Sequence, residues 1–319
     1  MSRLCLGCDL GGTNVRVAVV DDEGRVRASI KRKLVDRTPS AVARELAEGA
    51  NEVLGKLSIP LEEVAGIGCG VAGQVLGRTG TVLVGPNLGW RDVRFGTLVE
   101  RALGRSVRIV NDLSAAAWGE ASVGAARGAR DVILVFVGSG VGSGLILDGR
   151  LYEGAGGIAG ELGHTKVEPG GRRCGCGEFG CLEAYVGGHS IAARIRELAE
   201  SGKARAIVAA AGGDPLLVGG SALEDAAVGG DEEAIELREE IARRLGMAVA
   251  NVVTLLNPQK LILGGGVIRG MPGLERRTRE WIRQLGGQQH VAQLSILDTA
   301  LGDDAGMIGA ALLSLEPLT

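Results

Sequence analysis

The sequence predicts an α/β protein built in two halves, and three observations carry that prediction. Residues 4–10 and 15–20 read as strands joined by Gly11-Gly12-Thr13-Asn14 and followed by an acidic turn at 21–24. Residues 131–137 and 145–147 read as a second pair, joined by the run Gly138-Ser139-Gly140-Val141-Gly142-Ser143-Gly144 and followed by Asp148-Gly149-Arg150. The order of strand, glycine turn, strand and acidic turn therefore occurs twice. Apolar residues at helical spacing fill the stretches between, notably at 39–57 and 231–256.

Two halves that each present a glycine turn to a central cleft describe a duplicated actin-like, ribonuclease-H-like ATPase fold, with nucleotide phosphates gripped from both sides. The expected domains are residues 1–112 with 302–319, and residues 113–301. In the first half, Asp9 ends a strand where it can hold a Mg²⁺-bound water. Gly11, Gly12, Thr13 and Asn14 then offer bare N–H groups and a hydroxyl to phosphate. An ordinary hairpin turn would use the same residues. A third strand is expected at 26–34 and a helix at 39–57, followed by strands at 64–71, 81–84 and 108–110. Asn111-Asp112 falls at the end of the last of these, just before a helical run at 113–122. Ligands gather at strand C-termini in open α/β sheets, and aspartate is also a favoured helix cap, so both roles stay open there.

In the second half, Gly138, Ser139, Gly140, Val141 and Gly142 form the companion turn; no Lys-Ser or Lys-Thr follows, so it is not a Walker loop. Helices are expected at 190–200, 231–256 and 273–285, with partial helix in 203–230. The 231–256 helix carries a core stripe of Leu237, Ile241, Leu245, Ala248, Val252 and Leu255, and Asn257-Pro258 ends it. A strand at 260–263 leads into Gly264-Gly265-Gly266, a strand strand-to-helix turn in its own right. A late strand at 293–297 and a helix at 307–315 complete the pattern.

Composition narrows the function classes. With 319 residues, two domains fit, and 54 glycines gathered in short turns mark close backbone approaches rather than a flexible linker. A net charge of −3 with acids and bases interleaved carries no nucleic-acid footprint. No apolar run reaches bilayer length and no export leader opens the sequence, so a cytoplasmic location is expected. Cys5, Cys8 and Cys69 lie among aliphatic residues in strands and read as small buried hydrophobes.

The most informative stretch is 161–183, which packs His164, Cys174, Cys176 and Cys181 between Glu161 and Glu183. Three thiols at C-x-C-x4-C spacing, with an imidazole ten residues upstream, can close a tetrahedral Cys3His shell around Zn²⁺. Four protein ligands leave no open position for water, so the metal is structural. Buried or disulfide-bonded cysteines are the alternative, and the flanking charges and glycines speak against it. A knot of this kind would pin Glu161 and Glu183 as acceptors for hydroxyl groups.

E-x-G-H at 161–164 followed by C-x-C-G-x-x-G-C-L-E at 174–183 resembles the signature of the ROK family of bacterial sugar kinases and sugar-responsive repressors, and the similarity runs from Asp9 to Gly309. The resemblance implies ATP-dependent phosphorylation of a hexose, with glucose giving glucose 6-phosphate as the favoured reaction and ATP bound with Mg²⁺. It implies Asp112 as general base; Asn87, Asn111, Asp112, Glu161, His164 and Glu183 around the sugar; and Gly265 and Gly266 at the adenosine. Residues 86–90, with Asn87 and Trp90, resemble the family's sugar loop, and a structural turn would also use them. His164 would hold zinc with one ring nitrogen and a sugar oxygen with the other. Family habit implies a homodimer or homotetramer. Alternatives are N-acetylmannosamine, N-acetylglucosamine or fructose as acceptor, or a non-catalytic sugar-sensing regulator. The last is disfavoured, since Asp9 leaves no room upstream for a helix-turn-helix and Asp112 is present.

Overall fold

The computed structural model describes residues 2–317. In chain order the elements are β1 Leu4–Leu10, β2 Asn14–Asp21, β3 Val26–Lys33, α1 Pro39–Gly55, β4 Gly66–Val71, β5 Gln74–Leu76, β6 Thr81–Gly85, β7 Trp90–Val93, α2 Phe95–Leu103, β8 Arg108–Asn111 and α3 Asp112–Ser122. There follow β9 Val132–Val137, β10 Val141–Leu147, β11 Arg150–Leu151, α4 Glu183–Val186, α5 Gly188–Glu200, α6 Arg205–Ala210, α7 Gly220–Val228 and α8 Glu232–Leu256. The chain continues through β12 Lys260–Gly264, α9 Gly266–Gly270, α10 Pro272–Leu285, α11 Gln288–Gln293, β13 Ser295–Asp298 and α12 Ala305–Leu313. No helix among the described residues is long and apolar enough to cross a membrane.

The duplication read from the glycine turns is present in the sheets. One sheet runs β3-β2-β1-β4-β8 and another β11-β10-β9-β12-β13, so each copy places its third strand beside its second, then its first, fourth and fifth. The outer pairs match in direction: β2–β3 and β10–β11 are antiparallel, β4–β8 and β12–β13 parallel. This is the duplicated actin-like arrangement. A small antiparallel sheet, β5-β6-β7, is inserted only in the first copy.

The chain forms two compact units, residues 1–134, 144–160 and 299–319, and residues 135–143 with 161–298. This division differs from the expected boundaries at 112 and 302, and the packing of α3 explains the difference. Gly309 of α12 lies so close to α3 that an added Cβ would overlap the Ala115 carbonyl, and one on Gly119 would stand 2.8 Å from Ala305 O. The two helices are thus packed backbone to backbone, and α3 stays with the first unit.

In the first unit, β1 is buried along nearly its whole length because α12 covers it. Gly7 and Gly68 make that cover possible: side chains there would overlap the Met307 and Ala310 carbonyls. On the other face Leu6, Cys8, Val15, Val17, Leu46, Val53, Cys69 and Phe95 form the main core, and Cys5 joins the α12 side. The three strand cysteines are fully buried and free, as their neighbours indicated.

In the second unit, α8 is the long core helix. Asp231 caps it by accepting from Ala234 N at 2.9 Å, and Asn257 ends it in the left-handed region at φ 46°. The stripe holds through Leu237, Ile241, Leu245 and Ala248 and then fails: Leu255 is 81% exposed, while Val249 and Val253 are buried. A 3.6-residue period drifts around a long helix, so the buried face has moved by its last turn. Gln293 ends α11 rather than opening a strand, and the second strand of the glycine pair begins at Val141 rather than 145, which shortens the turn.

Candidate functional site

The first unit gathers one set of predicted residues. Turn residues Gly11, Gly12 and Thr13 link β1 to β2, closed by Gly11 N donating to Asn14 O at 3.1 Å and anchored by Leu34 N donating to Thr13 O at 2.8 Å. An added Cβ on Gly12 would sit 2.7 Å from Asn87 Cβ and 2.9 Å from Asn87 O, so Asn87 rests on the glycine turn. Trp90 does not offer its ring to a ligand. It is buried, its Nε1 donates to Arg37 O at 2.7 Å, and it stacks on Phe95 with centroids 4.9 Å apart. This corrects the expectation for Trp90, whose satisfied N–H and apolar neighbours make it a core residue.

Asp9, the last residue but one of β1, lies opposite Arg16 of β2. Burial pushes its carboxyl above the ordinary value, Arg16 opposes that, and Asp303 and Asp304 reinforce it. Arg16 is held in place by the Asp304 carboxylate and donates to Asp303 O at 2.5 Å. Gly306, in the first turn of α12, lies beside both candidate acids: a Cβ there would be 3.7 Å from Asp9 Oδ1 and 3.6 Å from Asp112 O. Sequence reasoning missed Arg16, because only the hairpin register sets it across from Asp9.

At the end of β8 the helix cap is Asn111, not Asp112. Asn111 Oδ1 accepts from Leu113 N and Ser114 N, both at 3.0 Å, and its Nδ2 donates to Gly73 O at 2.9 Å and Asp112 Oδ1 at 3.1 Å. The carboxamide has two donors and two lone pairs, and these bonds use all of them. Its evident work in this structure is to start α3 and to aim Asp112, which is the first residue of the helix and also accepts from Leu113 N at 2.9 Å.

The second unit gathers the remainder. Ligand atoms of His164, Cys174, Cys176 and Cys181 all lie within 4.8 Å of one another. Cys176 Sγ and Cys181 Sγ are 3.8 Å apart, and Cys174 Sγ is 3.8 Å from His164 Nδ1. Those separations suit the edges of a tetrahedron with metal–sulfur bonds of about 2.3 Å and are far beyond a disulfide bond of about 2.05 Å. The residues fit a zinc ion bound through Nδ1 and three sulfurs. His164 Nε2 then faces Glu161, 3.7 Å from its Oε2.

The loop is shaped by a tight hairpin. Val167 N donates to Gly180 O, Gly180 N to Arg172 O and Cys174 N to Glu178 O, at 2.9, 2.8 and 2.8 Å. Gly180, at φ 73°, leaves no room for a side chain against Glu168. Burial pushes the Cys174 thiol up to about 12, whereas Lys166 Nζ donates to Cys181 Sγ at 3.0 Å and places a positive charge beside the sulfurs.

The second glycine turn is held from several sides. Gly138 N donates to Gly140 O at 2.9 Å, Gly188 N to Gly138 O at 2.8 Å and His189 N to Ser139 O at 3.1 Å. Val141 N donates to Glu183 Oε2 at 2.8 Å. Gly265, at φ 99°, packs against the Val137 backbone where β9 enters this turn, and Gly266 starts α9. The predicted adenosine and phosphate residues of this unit are therefore neighbours.

Comparison with known proteins agrees with this geometry. The ROK family model matches residues 5–316. The glucokinase of Streptomyces coelicolor is 34% identical over 98% of each chain, and the N-acetylmannosamine kinase of Citrobacter koseri is 32% identical over 97% of this chain and 98% of its own. Among solved structures, a ROK family glucokinase from Streptomyces griseus in complex with glucose and AMPPNP superimposes with a TM-score of 0.79 at 33% identity, covering 98% of this chain and 99% of that one. With the duplicated sheets, the Cys3His cluster and a family match across nearly its whole length, the chain belongs to the ROK family.

Proposed function

We propose that the protein is an ATP-dependent hexose kinase that phosphorylates glucose at its C6 hydroxyl. The observation that carries this reading is the placement of the Asp9 carboxylate and the Asp112 backbone beside Gly306 in the first unit, next to a glycine turn that rests on Asn87. Phosphoryl transfer asks the protein for an aligned base and for charge stabilisation, and little other covalent help. Asp112 would take the hydroxyl proton as the sugar oxygen bonds to the γ-phosphorus and the bond to the ADP oxygen breaks. Asp9 would hold the Mg²⁺ that accompanies ATP, and the turns at 11–14 and 138–142, with Gly265 and Gly266, would carry the nucleotide. Glu161, His164 and Glu183 would accept or donate to sugar hydroxyls, joined by Asn87, while Asn111, its carboxamide spent on the helix start, Gly73 and Asp112, would aim the base instead of touching sugar. Zinc at the Cys3His cluster, saturated by protein ligands, would hold the loop.

The test is an ADP-release assay with Mg-ATP and a panel of glucose, mannose, fructose, N-acetylglucosamine and N-acetylmannosamine, with Asp112→Asn as control. The highest kcat/KM with glucose supports the reading, and preference for an acetamido sugar moves the acceptor while keeping the base. Sugar binding without turnover on any of them would replace catalysis with ligand sensing.

A further inference from the structure

Glu183 faces two ways. Its Oε2 accepts from Val141 N at 2.8 Å, and its Oε1 lies 3.8 Å from Cys174 Sγ in the metal cluster. The approach depends on Gly140, where an added Cβ would overlap Glu183 Oε2. Just beyond it, Gly188 N and His189 N hold the carbonyls of Gly138 and Ser139. The glycine turn is thus fastened to the short segment that begins two residues after Cys181, and Glu183 contributes its side chain to that fastening.

We propose that Glu183 is a positioning residue that couples the metal-binding loop to the glycine turn, so that metal held by His164, Cys174, Cys176 and Cys181 presets the 138–141 backbone for a nucleotide's phosphates. A carboxylate accepting from a backbone N–H makes a strong, charge-assisted bond, but its orienting value depends on how firmly the carboxylate itself is held. Glu183 opens α4, a helix of four residues, and so gains its fixity from the loop that precedes it. With the four ligands drawn together, Cys174 and Cys181 fix both approaches to Glu183. With the ligands apart, the carboxylate can swing, and Val141 N–H loses its acceptor. The bond also reassigns Val141. Its amide serves the turn's shape and is not free for phosphate. The metal-to-turn coupling stands on the contacts within this unit, whereas its effect on nucleotide rests on the kinase reading above.

The experiment follows backbone amide exchange in peptides covering 138–141, using the full chain without sugar or nucleotide, as zinc-loaded, chelated and zinc-restored protein. Wild type, Glu183→Ala and Glu183→Gln are compared, with zinc content measured for each. Chelation should speed exchange roughly tenfold and zinc should restore it. Glu183→Ala should exchange fast even when zinc-loaded. Glu183→Gln, whose amide oxygen still accepts from Val141 N, should keep most of the protection, which a loss of charge alone would not predict. Fluorescent-ATP binding without sugar should weaken about tenfold in Glu183→Ala and less in Glu183→Gln. Unchanged exchange on chelation, or in zinc-loaded Glu183→Ala, overturns the coupling. Tighter nucleotide binding by Glu183→Ala would also overturn it, making the carboxylate a repulsive neighbour of phosphate. If wild type binds no nucleotide, the kinase reading fails, and the exchange data still decide the coupling.

Discussion

The two glycine turns occupy the same place in two copies of one topology, yet they are held by different means. Residues 11–14 are closed by strand backbone and rest on the backbone and Cβ of Asn87. Residues 138–141 depend on Glu183 and on the segment that follows the metal loop. Duplication therefore repeated the sheet without repeating its supports. Both turns close on their own backbone; the first leans on Leu34 and Asn87, and the second leans on a side-chain carboxylate that sits beside a cluster of three cysteines and a histidine. The catalytic candidate Asp112 belongs to the unit with the first of these turns.

The largest expected effect tests that allocation. Asp112→Asn should lower kcat by roughly two to four orders of magnitude, while zinc content and amide exchange in 138–141 stay at wild-type values. Retained turnover would remove Asp112 as the base. Next, Cys176→Ser should abolish stoichiometric zinc binding, read by metal analysis, and loosen 138–141 while leaving exchange in 10–14 unchanged. Loosening of both turns would erase the contrast between them.

Glycine substitutions sharpen it on the scale of stability. Gly265→Ala forces a side chain into positive φ and against the Val137 backbone, so urea denaturation should show a loss of about 2–4 kcal/mol. Gly12→Ala would set a Cβ 2.7 Å from Asn87 Cβ and 2.9 Å from Asn87 O, so the loop backbone must shift, at a cost of about 1–3 kcal/mol. The smallest effect belongs to Arg16→Gln. Removing the guanidinium leaves burial and the two neighbouring aspartates to act alone, raising the Asp9 carboxyl further. In its proposed role Asp9 would have to be ionised to hold Mg²⁺, so the acid limb of the pH–rate profile should move to higher pH, with under about threefold change at neutral pH.

Much of this was legible in the residues. Alternating and continuous apolar runs placed the main strands, and the repeated order of strand, turn and strand anticipated the matching sheets, because pattern and topology are both local at that scale. C-x-C-x4-C with an upstream histidine marked the metal cluster for the same reason. Other features were not local. Val141 and Glu183 are 42 residues apart, and nothing in either segment announces the bond between them. Asn111 and Asp112 are both good caps and adjacent, so only backbone geometry could assign the cap to one and leave the other at the first helical position. Leu255 looked like core because a helical wheel does not say where the neighbouring elements stop.

The backbone-tight seat of α12 has a consequence in the order of synthesis. Residues 305–313 cover β1 and lock against α3, and both partners are translated far earlier. The second unit takes 138 of its residues from the single stretch 161–298, so its material is complete while the first unit still lacks its cover. On the ribosome the apolar face of β1 and β2, with Cys5, Ala18 and Val20, waits through nearly the whole of translation for its partner. The first unit is thus the later of the two to finish and the one whose exposed intermediate most needs shielding from aggregation.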